Sequence, residues 1–329
     1  MPLSLPANND IIIAITRITI INWRPKHMSI SSEQIKQHAA SLGMALCGVA
    51  SIDRFETSPE GWHPCDILPG CKSVIVVGAR LIDGVVQANF RAFEEGKDHL
   101  KGIFGTYGYT MLPNFELTYI CYAMAQYIET NSSEIATPCS TGPMTNGIQI
   151  SIRHAAVAAG LGEFGYLSIV LTPEYGPRQR FGVILTTLEL EPDPMYGGPA
   201  LCGGEKCGIC AKVCPTGAIR EPGTHELEHV EMGGKEYDYT KVHFAKCRKS
   251  LQAMTKALGG KEDYLPEKEP TMEDLAAGES RMPIDAMGLM HISSWHCGRC
   301  QTYCPAGKWG ERYKKTGLSH GPVFIEEKL

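Results

Sequence analysis

The chain has 329 residues, a net charge of -5, 43% hydrophobic and 20% charged residues. That length and balance point to two globular domains, or one large domain with an appended module. They exclude a protein held to nucleic acid by a dominant basic footprint. Thirteen cysteines in so long a chain, with no secretory signal, also argue against a disulfide scaffold.

Residues 1–27 read as an N-terminal extension. Ile11 to Ile21 is apolar but short and interrupted by Arg17, well below the ~20 residues of a membrane span. No twin-arginine pair or cleavage site accompanies it, so a cytoplasmic protein without a membrane span is expected. Met28 opens a better start. Ser31-x-x-Gln34 is a capping box that predicts a helix over 32–43, closed near Gly43. Leu46–Ala50 and Ser73–Ala79 are apolar runs bounded by turn signals and read as buried strands. Asn114 to Glu129 carries apolar residues at helical spacing, and Ile148 to Ala159 predicts a second helix stopped by Gly160. Phe164–Leu171 and Phe181–Leu190 read as two strands joined by the turn from Thr172 to Arg178. Pro192-Asp193-Pro194 and Gly197-Gly198-Pro199 make a linker. An α/β or α+β domain over 28–195 follows from this alternation. Residues 196–329 form a second domain, with an insertion at about 221–290 that reads as a solvated cover with some helix.

Two nearly identical phrases mark that second domain: Cys207-Gly-Ile-Cys210-x3-Cys214-Pro215 and Cys297-Gly-Arg-Cys300-x3-Cys304-Pro305. Each is most of the bacterial ferredoxin run C-x2-C-x2-C-x3-C-P, whose last cysteine ligates the other cluster. Two [4Fe-4S] clusters need eight thiolates, and the phrases supply six. Cys202 lies just upstream of the first phrase, and Cys247 stands some fifty residues before the second. Crossed ligation then gives one cluster Cys202, Cys207, Cys210 and Cys304, and the other Cys247, Cys297, Cys300 and Cys214. Paired C-x2-C units also bind zinc, but zinc has no need of a third cysteine followed by proline in both copies. Cys47, Cys65, Cys71, Cys121 and Cys139 read mostly as small buried apolar residues.

His154-Ala-Ala-Val-Ala-Ala-Gly160-Leu-Gly162-Glu-Phe-Gly165, followed by Leu171-Thr-Pro-Glu-Tyr-Gly-Pro-Arg178-Gln-Arg180, resembles the core of cobalamin-dependent reductive dehalogenases and epoxyqueuosine reductases. The resemblance spans about residues 35–310. It implies an α+β fold: a nitroreductase-like corrinoid-binding core followed by a bacterial ferredoxin-like module with two [4Fe-4S] clusters. It also implies cobalamin, with Gly160, Gly162 and Gly165 letting backbone approach the macrocycle. Asn146 falls where the dehalogenases resemble one another in carrying asparagine and epoxyqueuosine reductases carry an aspartate. Arg178 or Arg180 matches an arginine near the substrate, with a cofactor-phosphate contact as the other reading. Tyr109 matches the proton donor, with Tyr107 and Tyr119 as substitutes. His154 is given no catalytic role.

The function this implies is an oxidoreductase of the reductive-dehalogenase type. Electrons from an external low-potential donor, a ferredoxin or flavodoxin, would pass through two clusters to cobalamin and reduce a small organic molecule, halogenated or not. The alternative is an epoxyqueuosine reductase acting on tRNA, which predicts an acid at 146 and a basic surface. Asn146 and the net charge argue against it, although Lys308, Arg312, Lys314 and Lys315 form a small basic cluster. A third reading is a corrinoid-free electron carrier.

Overall fold

The structure is a computed structural model in which residues 29–97, 100–109, 112–140, 150–251 and 297–307 are described. Helix α1 (Ser32–Ser41) begins at the expected capping box: the Ser31 hydroxyl accepts from the Gln34 N–H, and the Gln34 side chain accepts from the Ser31 N–H at 2.9 Å. Strand β1 (Leu46–Ser51), the short helix α2 (Pro64–Ile67), strand β2 (Ser73–Arg80) and helix α3 (Asp83–Glu94) follow. Helix α4 (Lys101–Phe104) runs into a π-helical turn, Gly105–Tyr109. Next come α5 (Leu112–Asn131), β3 (Ala136–Ser140), α6 (Ile152–Ala158), β4 (Glu163–Phe164), β5 (Val170–Leu171) and β6 (Gln179–Thr186).

Four of these strands form one antiparallel sheet in the order β1-β2-β6-β3. Its strands read as continuous apolar runs because both faces are covered. Val74, Val76, Val183 and Leu185 pack on one side with the alanines of α6 and with Phe164. Ile75, Val77 and Ile184 pack on the other with Ile35 and Ala39 of α1 and Leu117, Met124 and Ile128 of α5. The result is a mixed α/β fold in three layers. Cys71, Cys121 and Cys139 are buried in these layers, and burial pushes the Cys121 thiol up to about 12.

Three sequence expectations differ from this. Residues 164–171 are not one strand. They fold back as the β4–β5 pair, Glu163 opposite Leu171, around a left-handed Ser168 with φ 64°. Helix α3 and strand β3 were not expected from the sequence, although Val85, Val86, Phe90 and Phe93 have helical spacing. The insertion is more than a cover. It contains the hairpin of β7 (Glu228–Met232) and β8 (Lys235–Tyr239), and Met232 and Tyr239 are buried in the same cluster as Phe164 and α6. The short α7 (Ile209–Lys212), then α8 (Phe244–Leu251) and α9 (Arg299–Tyr303), carry cysteines of the two phrases and Cys247. Residues 252–290 of the insertion, the extension at 1–27 and the basic cluster at 308–315 lie outside the described residues. Among the described residues no helix is long and apolar enough to cross a membrane.

The linker is fixed by Asp193. One carboxylate oxygen meets Lys36 Nζ at 2.5 Å, and the other accepts from the Val49 N–H at 2.9 Å. Losing both leaves a part-buried strand N–H unpaired. Asp193→Ala is therefore expected to lower stability by ~2 kcal/mol, measured by urea denaturation, and an unchanged midpoint would contradict this role.

Candidate functional site

All eight expected cysteines are described, and they fall into two groups. Burial pushes the Cys210 thiol up to about 12, and the charges that next affect it belong to Cys304, Cys202 and Cys207. Cys300 is driven well above its usual range, first by burial and then by Cys297, Cys247, Cys214 and Cys210. Cys304 thus stands with the first phrase and Cys214 with the second. The two sets also adjoin each other through Cys210 and Cys300. Among the described residues, no three His, Cys, Asp or Glu side chains gather as they would around a single metal ion.

The core grips the first set through the glycine-rich stretch. The Glu163 carboxylate accepts from the N–H groups of Leu201 at 2.5 Å and Cys202 at 3.3 Å. Cys202 Sγ accepts from the Tyr166 and Gly204 N–H groups, each at 3.3 Å. Arg178 grips the other end. Only 2% exposed, it donates to the carbonyls of Gln301 at 3.1 Å, Cys304 at 2.9 Å and Ala306. Helix α3 holds the second phrase from another side: Asn89 Nδ2 donates to the Cys297 carbonyl and to Thr302 Oγ1, both at 3.0 Å. Tyr303 donates to Glu94 at 2.6 Å, and Arg299 stacks 4.7 Å from the Phe93 ring centroid. Sequence reasoning missed this helix, and with it the seat of the second phrase.

Other expected site residues sit differently from expectation. Gly160, Gly162 and Gly165 do not open onto free space. A Cβ on Gly160 would fall inside the Pro194 carbonyl oxygen, one on Gly162 inside that of Leu171, and one on Gly165 would lie 2.8 Å from Leu167 Cδ2. Their small size serves chain packing. Arg178 is engaged with backbone carbonyls, and Arg180 Nε donates to Asn114 Oδ1 at 3.2 Å. Tyr109 ends the π-helical turn, while Tyr107 and Tyr119 are exposed. Asn146 lies outside the described residues.

One cavity is lined by the second cysteine set, and another adjoins it. The first, of about 520 Å³, is lined by Cys214, Cys247, Cys297 and Cys300 together. Its neighbour, of about 540 Å³, is bounded by Trp62, Ser151, His154 and the β7–β8 hairpin. Arg153, Glu228 and Tyr239 line both. His154 was read as structural, and its ring lies 2.5 Å from Ser151 Oγ and 3.5 Å from the Tyr239 hydroxyl. Burial, then the Arg153 charge, brings its imidazole down to about 4.

Residues 205–220 match the model of the 4Fe-4S binding domain. Over 224 residues the chain is 29% identical to an epoxyqueuosine reductase of Gloeobacter violaceus, covering 59% of this chain and 63% of that one. Over 106 residues it is 38% identical to a tetrachloroethene reductive dehalogenase of Sulfurospirillum multivorans, covering 30% and 21%. The chain is similar to members of both groups. It spans less than two thirds of either relative. A solved epoxyqueuosine reductase with a tRNA-Tyr epoxyqueuosine-modified tRNA stem loop aligns over 83% of this chain and 82% of that one, at 15% identity and a TM-score of 0.47.

Two expectations follow. Arg178→Ala leaves three carbonyls without their cation, which costs roughly 3 kcal/mol. The purified variant should carry about half the iron of the parent, and full iron content would show that the clamp is dispensable. The His154 value in the folded chain lies below the ordinary 6.5. The unfolded chain therefore binds this proton more readily, and the stability it confers is full above pH 6.5 and lost as pH falls toward 4. The drop in urea midpoint between pH 7 and 5 should be smaller in His154→Gln; an equal drop would remove His154 from the account.

Proposed function

We propose that the chain is an iron–sulfur reductase carrying two [4Fe-4S] clusters, one on Cys202, Cys207, Cys210 and Cys304, the other on Cys214, Cys247, Cys297 and Cys300. The observation that supports the reading is that Cys214 lines one cavity with Cys247, Cys297 and Cys300, while the charges acting on Cys210 are those of Cys304, Cys202 and Cys207. An exchange of last cysteines is the ferredoxin arrangement, and it brings the two sets against each other. When bound, the clusters supply one-electron chemistry. The chain's part is to hold eight thiolates, exclude water with buried Cys297 and Cys304, and open the second set toward a neighbouring cavity. There Tyr239 keeps its phenolic proton at neutral pH, because burial raises it, and lies beside a neutral His154.

Cobalamin is the further cofactor that the resemblance implies. A Cβ on Gly160, Gly162 or Gly165 would strike the chain's own atoms, so packing within the chain already accounts for these glycines and they add no support of their own for a macrocycle seat. No step is therefore assigned to that group, and its binding is put to measurement. The acceptor chemistry is reductive cleavage or reduction of an activated bond in an organic molecule. The reductive-dehalogenase reading rests on the shorter, more identical match. The epoxyqueuosine reading rests on the longer one, and it returns tRNA to the candidate partners despite the net charge of -5 and Asn146.

Anaerobic reconstitution with iron, sulfide and cobalamin should give about eight irons per chain, with cobalt quantified alongside. Turnover of a haloalkene or haloaromatic against epoxyqueuosine-containing tRNA then chooses the substrate class. Retention of only a trace of iron would overturn the reading. Cys247→Ala should lose one cluster although both cysteine phrases remain, and about eight irons in that variant would show that the eighth ligand is misassigned.

A further inference from the structure

The wall between the two cavities holds a feature that the cysteine arrangement does not require. Ser168 is the one non-glycine residue with positive φ among the described residues, at 64°, and it is buried at 4% exposure. Such a conformation costs on the order of 1–3 kcal/mol and persists where its surroundings impose it. Ser168 closes the hairpin turn between β4 and β5, where its N–H donates to the Gly165 carbonyl and the Gly165 N–H to the Ile169 carbonyl, each at 2.8 Å, and Arg153 Nη1 donates to the Ser168 carbonyl at 2.5 Å and to Ser168 Oγ. The guanidinium carbon also lies 5.9 Å from the centre of the Tyr239 ring. Arg153 is one helix residue away from neutral His154, and its accessible surface opens onto both cavities.

A guanidinium stays charged, and a group fixed by two hydrogen bonds and a ring cannot swing away from the chamber it lines. The chamber of the second set also receives Lys241 and Arg299, with Glu228 as its carboxylate, and Glu228 pairs with Lys241 at 3.3 Å. A cluster on four thiolates is anionic and gains one further negative charge on reduction. Net charge and hydrogen bonding around the sulfurs set its reduction potential. A fixed cation in the wall favours the more negative, reduced state.

We infer that Arg153, latched by the left-handed Ser168, is a positioning residue that raises the reduction potential of the cluster on Cys214, Cys247, Cys297 and Cys300. The inference rests on the two-cluster reading above. Its role is to keep the second cluster reducible beside the adjoining cavity. The first cluster is held by Arg178 and Glu163 and does not depend on it.

The test is an EPR-monitored redox titration of the reconstituted protein, its Arg153→Gln and Arg153→Lys variants, and Cys247→Ala to assign the signals. In Arg153→Gln, the midpoint of the signal absent from Cys247→Ala should move to lower potential while the other stays. Arg153→Lys, which keeps the charge, should lie closer to the parent. Both midpoints unmoved in an iron-replete Arg153→Gln would overturn the inference and leave the two-cluster reading standing, whereas no iron in the parent would remove that reading itself. Should Arg153→Gln fail to load, Glu228→Gln carries the test. Removing the chamber's carboxylate should move the same midpoint to higher potential, and no movement there would also overturn the inference.

Discussion

A buried guanidinium cannot be left without partners, because an uncompensated charge in the interior costs several kcal/mol. Arg178 meets that constraint with the carbonyls of Gln301, Cys304 and Ala306. Those carbonyls are distant in sequence, and they belong to the loop that carries Cys304. Its neighbour Gln179 begins the strand β6 that fills the sheet between β2 and β3. The central sheet and the last cysteine of the second phrase are thereby tied through adjacent residues. Moving one displaces the other.

The same logic holds at the other end of the motif. Glu163 sits in β4 and receives the N–H groups of Leu201 and Cys202, while Tyr166 donates to the Cys202 sulfur. Gly162, just before Glu163, is needed because the chain passes under the Leu171 carbonyl. The stretch from Gly160 to Arg178 is therefore a cradle for the cysteine domain, clasping Cys202 at one end and Cys304 at the other. With α3 holding Cys297 through Asn89, the cysteine domain is built into the core.

Much of this was legible in the sequence because local patterns carried it. The Ser31–Gln34 capping box, the strands at 46–51 and 73–80 and the helix 112–131 depend on neighbours in sequence and on alternation or helical period. The iron–sulfur character of the first cysteine phrase was legible because ligand spacing is stereotyped. What was not legible depended on distant partners. Gly160, Gly162 and Gly165 look alike whether they face a macrocycle or a carbonyl, and only the positions of Pro194 and Leu171 decide between the two. Arg178 has the same identity as a substrate contact or as a clamp. The break at Ser168 could not be read from 164–171, since a serine gives little sign of the left-handed residue that closes the hairpin turn from Gly165 to Ile169. The hairpin at 228–239 was obscured by its charged outer residues, although Met232 and Tyr239 alternate inward to join the core.

The central claim is that each cysteine phrase lends its last cysteine to the other set. It is tested most directly by comparing the reduced EPR spectra of reconstituted Cys210→Ser, Cys304→Ser and Cys300→Ser variants. Crossed ligation predicts that Cys210→Ser and Cys304→Ser lose the same signal, and that Cys300→Ser loses the other. Loss of one common signal from Cys300→Ser and Cys304→Ser, with Cys210→Ser complementary, would contradict it.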